Sequence, residues 1–135
     1  MKKVVVYYSY SGKTKALAAE LAARESADVI EVKDAKRVGK LKVYTAGIVA
    51  SIRGKAWPIE PLTDMSSYDH VYLMGPVWAG NPAPAMYAAF NQLPAGKRVS
   101  VTMVSTSGTS DCKARVEEMI KNRGSEMDDF TDVKA

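Results

Sequence analysis

From Val4 to Tyr8 the chain runs through five consecutive β-branched or aromatic residues, and from Thr14 to Arg24 it switches to a helical rhythm with Leu17 and Leu21 one turn apart. The first pattern predicts a strand buried on both faces; the second, rich in Ala, Leu, Glu and Lys, predicts a helix. Val29-Ile30-Glu31-Val32 reads as a second strand. Leu41, Tyr44, Ile48 and Ile52 then recur at helical spacing and predict a second crossover. Pro58 and Pro61 break the chain before a third strand, Val71-Tyr72-Leu73-Met74, which ends at Gly75-Pro76. A helix from about Pro84 to Leu93 follows, then a fourth strand from Val99 to Val104. The last helix runs from Cys112 to Asn122, with Val116, Met119 and Ile120 on one side, and is closed by Gly124.

Strands alternating with helices imply right-handed crossovers and a parallel sheet covered on both faces, a doubly wound α/β fold. Ligands bind such sheets at the carboxyl ends of the strands, where the chain order reverses. Three loops fall there: Ser9 to Thr14, Pro76 to Pro84 and Ser105 to Asp111. With 135 residues, 47% hydrophobic and 25% charged, one soluble domain spanning 1–135 is expected, and no window approaches the apolar length of a membrane span. The first residues lack the pattern of a secretory signal, so a cytoplasmic location is expected.

Cys112 and His70 are the only cysteine and histidine, which excludes an internal disulfide and argues against a metal site. Cys112 reads as a small, partly buried residue, His70 as a surface turn residue, and Trp57 as packing its loop against the second helix. Tyr8, Tyr10 and Tyr87 read as packing residues. The net charge of +4 permits a polyanion but does not demand one, and no nucleic-acid partner is expected. Between Lys33 and Lys55 lie Lys36, Arg37, Lys40, Lys42 and Arg53, opposed only by Asp34. A solvated face, a docking surface for an acidic partner and a site for an anionic substrate all fit this segment.

Gly12-Lys13-Thr14 at the end of the first strand has the look of a nucleotide-triphosphate P-loop. That motif needs a glycine five positions before the Gly-Lys pair, and Tyr7 stands there. No later apolar run closes on an aspartate to hold magnesium. Ser9-Tyr10-Ser11-Gly12-Lys13-Thr14 is instead a hydroxyl-rich turn leading into a helix N-terminus. Two readings stand side by side: Ser11 or Thr14 caps the helix, or the turn cradles a phosphomonoester. The second loop, Gly75-Pro76-Val77-Trp78-Ala79-Gly80-Asn81-Pro82, favours the cradle, because it sets a large aromatic between glycines and prolines at the ligand edge, where it can stack on a planar heterocycle.

The pairing of YYSYSGKTKALA with YDHVYLMGPVWAGNPAPAM resembles the flavodoxin-like family, in particular its short single-domain members, over about Lys3 to Asn122. The resemblance implies strand order 2-1-3-4-5 with helices on both faces, and a flavin mononucleotide (FMN) site. The phosphate would lie on Ser9, Tyr10, Ser11, Gly12, Lys13 and Thr14, and the isoalloxazine beside Pro76, Val77, Trp78, Ala79 and Gly80. A third loop, Thr106-Ser107-Gly108-Thr109, would meet the ring's polar edge. Chemistry would belong to the flavin, with no catalytic side chain required. Ala79 or Gly80 would permit a peptide flip coupled to reduction. Electron transfer with a partner protein or NAD(P)H is the implied role; an FMN-dependent NAD(P)H:quinone-type reductase and a flavin-free interaction module are the alternatives.

The sequence departs from the family's pattern in three places. Lys13 stands where asparagine is frequent. The family's typical electron carriers are acidic, whereas the basic segment here suits an acidic protein or an anionic nicotinamide dinucleotide phosphate. After Asn122 only a short fifth strand, Phe130 to Val133, is expected, with the final helix absent. Part of one sheet face would then be uncovered, and a homodimer would be one way to bury it.

Overall fold

The computed structural model describes residues 2–36 and 39–135; Met1, Arg37 of the basic segment and Val38 lie outside the described residues. Five parallel strands form the sheet: β1 (Lys3–Tyr7), β2 (Asp28–Glu31), β3 (His70–Trp78), β5 (Arg98–Ser105) and β6 (Glu126–Lys134). Their order is β2-β1-β3-β5-β6, the expected 2-1-3-4-5, while a two-residue β4 (Asn81–Pro82) folds back antiparallel on β3. Residue parity decides which helices each strand meets. Val5 and Tyr7 of β1, with Met74 and Val104, pack under Ala18, Leu21 and Ala22 of α1 (Lys13–Glu25). Val4, Val6, Val71, Leu73, Val99, Val101 and Met103 meet α4 (Pro84–Phe90) and α5 (Lys113–Asn122) on the other face. Cys112 is fully buried at the start of α5, and burial pushes its thiol up, so the residue acts as packing.

Three expectations are corrected. The second crossover is a broken helix: α2 (Lys40–Lys42), a π-helical turn at Val43–Gly47 and α3 (Ile48–Arg53). Its small side, Gly47, Ala50 and Ser51, is buried with Val43, while Leu41 is 81% and Tyr44 72% exposed. The cause is a close approach. A Cβ on Gly47 would lie 3.1 Å from ring atoms of both Trp57 and Trp78, so only the small side of the segment fits against those indoles and the apolar stripe is left outside.

Second, the last strand extends over nine residues, against the four of Phe130 to Val133, and pairs with β5 along its length. Its aspartates hide it from a period-2 reading. Met127 faces Val99 and Asp129 faces Ser100, so Asp128 is an extra residue, a β-bulge. That carboxylate accepts hydrogen bonds from Arg98 Nε and, at 2.8 Å, from Ser100 Oγ. No helix follows β6 among the described residues.

Third, His70 is 6% exposed rather than a surface residue. Its Nε2 lies 2.7 Å from Ser100 Oγ, and its ring stacks on Tyr72 at 4.2 Å. Burial holds its pKa below the ordinary 6.5, against the opposing pull of Asp128. Beyond the reach of α1 the sheet thus carries a polar chain, His70–Ser100–Asp128–Arg98, that runs from the buried His70 and Ser100 out to the exposed Arg98.

Candidate functional site

The three loops selected from the sequence meet at the carboxyl edge of the sheet around a cavity of about 460 Å³. From the first loop it is lined by Ser11, Lys13 and Thr14, from the second by Pro76, Val77, Ala79 and Gly80, and from the third by Ser105, Thr106, Ser107, Thr109, Ser110 and Asp111. Seven of these side chains are hydroxyls, against one lysine and one aspartate. Such a lining binds an anion by many neutral donors rather than by bulk charge.

In the first loop Gly12 takes a left-handed conformation (φ 97°), and its N–H donates to Ser9 Oγ at 3.0 Å. No side chain among the described residues caps α1. The capping reading of Ser11 and Thr14 therefore fails, and the first-turn N–H groups of α1 keep their positive end toward the cavity. Ser9 and Tyr10 turn to a neighbouring hollow of about 490 Å³ that they share with Tyr8, Ser11, Asp34, Gly39 and Lys40. There Tyr8 Oη donates to Asp34 Oδ2 at 2.7 Å, while buried Asp34 Oδ1 has no hydrogen-bond partner among the described residues. Burial raises the pKa of Asp34, and it raises that of Tyr8 together with the bond to Asp34.

The second loop begins as strand. β3 continues through Gly75-Pro76 to Trp78, turns on Ala79 (φ 52°) and Gly80 (φ 82°), and returns as β4. Two successive positive φ values between antiparallel partners make a two-residue hairpin of the type I′ kind. Ala79 there costs about 1–2 kcal/mol relative to a right-handed conformation. Gly80 also sits against the third loop: a Cβ would lie 2.9 Å from Asp111 Oδ2, which would have to turn aside, and its carbonyl accepts the Asp111 N–H at 2.8 Å.

The hairpin is held from behind by residues that sequence patterns do not single out. Ser51 Oγ lies 2.6 Å from the Pro82 carbonyl, 2.8 Å from that of Trp78 and 3.2 Å from that of Asn81. Arg115 Nη1 donates to Asn81 Oδ1 at 3.1 Å and to the Ile52 carbonyl at 2.9 Å. These partners are 27 to 63 residues apart, so no local signal could have found them.

Trp78 does not line the cavity. Its ring meets Tyr10 at 5.9 Å, Trp57 at 6.0 Å and Tyr8 at 6.4 Å, all edge-on, forming an aromatic wall between the second loop and the α2–α3 segment. The third loop is tied by its own hydroxyls. Ser105 Oγ accepts the Gly108 N–H at 2.9 Å and donates to the Thr109 carbonyl at 3.1 Å. Thr106 and Ser107 reach the cavity, whereas Gly108 forms the turn behind them.

No protein-family profile matches the chain, and no curated protein sequence matches it. Solved structures do. A flavoprotein from Lactobacillus acidophilus NCFM, crystallised in complex with FMN, is 24% identical and superposes with a TM-score of 0.78 over 96% of this chain and 91% of its own. A candidate flavoprotein from Bacteroides uniformis is 21% identical, with a TM-score of 0.78 over 99% and 92%. A Streptococcus pneumoniae flavodoxin is 16% identical, with a TM-score of 0.58 over 100% and 87%. Strand order, crossovers and these superpositions together show that the chain adopts the flavodoxin-like α/β fold.

Proposed function

We propose that the chain binds FMN in the cavity between its three carboxyl-edge loops and acts in electron transfer. The observation that carries this reading is the convergence of a helix N-terminus, Lys13 and a hydroxyl-lined cavity with the stiff Pro76–Gly80 hairpin. The donor set fits a phosphomonoester joined to a polar chain and a planar ring. Ser11, Thr14 and the first-turn N–H groups of α1 bind the phosphate, with Lys13 adding one charge. Pro76, Val77 and Val104 supply the apolar surface that a ring needs, and Thr106 and Ser107 line the same cavity to bond its polar edge. The likeness to an FMN-complexed flavoprotein from Lactobacillus acidophilus supports the choice of FMN among such ligands.

FMN, when bound, supplies one- and two-electron redox chemistry. The chain's own part is to hold the phosphate, exclude water and place backbone N–H and C=O groups along the ring. Ala79 and Gly80 are suited to that placement, because both line the cavity and the peptide between them lies at its edge.

The test is titration of the purified protein with FMN, riboflavin and ATP, read by flavin fluorescence and by competition. Tight FMN binding with much weaker riboflavin and ATP binding is the expected result. Equal affinity for FMN and riboflavin would refute the assignment of Ser11 to Thr14 as a phosphate cradle. Rapid reduction of the bound flavin by NAD(P)H would favour the reductase over the carrier.

A further inference from the structure

We propose that the outward face of the α2–α3 segment is a docking surface for a protein partner that presents carboxylates around an apolar centre. Six large hydrophobic side chains are exposed among the described residues, and four of them, Leu41, Tyr44, Val49 and Ile52, belong to this one segment. Isolated exposed leucines are ordinary; four on adjacent turns of one outward stripe form a patch. The stripe is not a failed core face, because the segment already buries Val43, Gly47, Ala50 and Ser51 on its other side, with Gly47 against Trp57 and Trp78.

The charge around the stripe selects the occupant. Exposed Lys40, Lys42, Arg53 and Lys55 surround it, and the sequence has no acidic residue between positions 35 and 59. A second copy of this chain would bring the same patch onto itself, setting lysines and arginines against lysines and arginines. A lipid surface would need the apolar face to sink about 5–10 Å. Only Leu41 and Tyr44, 81% and 72% exposed, stand free enough to enter a bilayer, while Val49 and Ile52 stay half set into the surface at 47% and 49%, as the centre of a protein interface does. An acidic protein satisfies both the stripe and its basic rim.

The position of the patch gives the docking a purpose. Directly behind it, Gly47 touches the Trp57 and Trp78 rings and Ser51 grips the hairpin that walls the cavity, so a partner seated on α2–α3 lies one layer from the proposed flavin. This purpose rests on the FMN reading; the docking itself does not.

The probe is a fluorescently labelled helical peptide of about 18 residues, long enough to hold a helix, with leucines along one face and glutamates on both flanks. A twin carries lysine in place of every glutamate. The acidic peptide is expected to bind saturably and its twin not. The double variants Leu41→Ser/Tyr44→Ser and Arg53→Glu/Lys55→Glu should each weaken binding at least about tenfold, as loss of central anchors does. FMN affinity of the same variants, measured in parallel, stays within about twofold, so a failed flavin assignment and a failed docking assignment are read separately. The proposal is overturned if neither peptide saturates, if both bind alike, or if the double variants leave the affinity unchanged. It is likewise overturned if sedimentation finds a wild-type dimer abolished by Leu41→Ser/Tyr44→Ser, or if vesicles rich in phosphatidylserine bind through these residues in preference to the peptide.

Discussion

Replacing Ser51 by alanine removes a single oxygen from a fully buried side chain, leaving no void large enough to matter, and takes the donor away from the carbonyls of Pro82, Trp78 and Asn81. One hydroxyl has one proton, so the 2.6 Å contact to Pro82 takes most of the bond and the other carbonyls share the remainder. A buried acceptor deprived of its donor costs about 1–3 kcal/mol, and the middle of that range, ~2 kcal/mol, is the expected loss. With a urea slope of about 2 kcal/mol per molar, the midpoint should fall by ~1 M with the slope unchanged. The hairpin is the wall of the cavity, so the same variant should also bind FMN more weakly. Ser107→Ala serves as the control. Its hydroxyl is on the exposed third loop and water replaces it, so its stability should change by less than ~0.5 kcal/mol. A midpoint shift for Ser51→Ala no larger than that of the control would refute the idea that this hydroxyl holds the hairpin.

Three further outcomes are expected. Thr14→Val keeps the shape of a side chain that is 3% exposed and removes its hydroxyl, so it should weaken FMN by about tenfold or more and leave riboflavin affinity nearly unchanged; parallel losses for both ligands would contradict the phosphate assignment. His70 is the only histidine, so its ring protons give one NMR titration, which should fall below 6.5 because burial lowers the pKa; a midpoint above 6.5 would mean that Asp128 dominates. With the folded pKa depressed, this group binds fewer protons in the native than in the unfolded state, so its share of stability declines as pH drops through and below 6.5. Asp34 has the opposite sign. Its folded pKa is raised above 3.8, so the native state holds the extra proton and stability is lost as pH rises through the folded value. Asp34→Asn should therefore have the higher urea midpoint at pH 7, with the gap closing toward pH 3; a gap independent of pH would count against a buried carboxylate.

Most of what positions the site was legible in the chain. The Val4 to Tyr8 run, the helix after Thr14 and the strand-to-loop transitions near Tyr8 and Val104 follow from periodicity, and the carboxyl-edge rule turns that order into three loops before any contact is known. What escaped is physically consistent. Periodicity says that Leu41, Tyr44, Ile48 and Ile52 share a face but not whether that face turns inward, and the deciding fact is the fit of Gly47 against two indoles distant in sequence. β6 was underestimated because Asp128, Asp129 and Asp132 break the alternation, although a bulge and the Arg98 pairing make them compatible with a strand. Proline at position 76 predicts the end of the strand, yet β3 passes through it beside Val104 and its carbonyl still accepts the Ala83 N–H at 3.1 Å. Trp78 was recognised as important for its place in the loop, but its neighbours, Tyr8, Tyr10 and Trp57, come from two other parts of the chain.

The bulge in β6 also bears on solubility. A sheet that is not closed leaves two edges with unpaired backbone groups, each a template for a strand from another molecule. Here β2 offers only four residues and ends in Asp28 and Glu31. The longer edge, β6, is kinked at Asp128 and carries Asp129 and Asp132 beside it, so an incoming strand would meet both a broken register and concentrated negative charge. The aspartates that obscure the strand in the sequence are thus the residues that discourage this nine-residue edge from recruiting further strands into an aggregate.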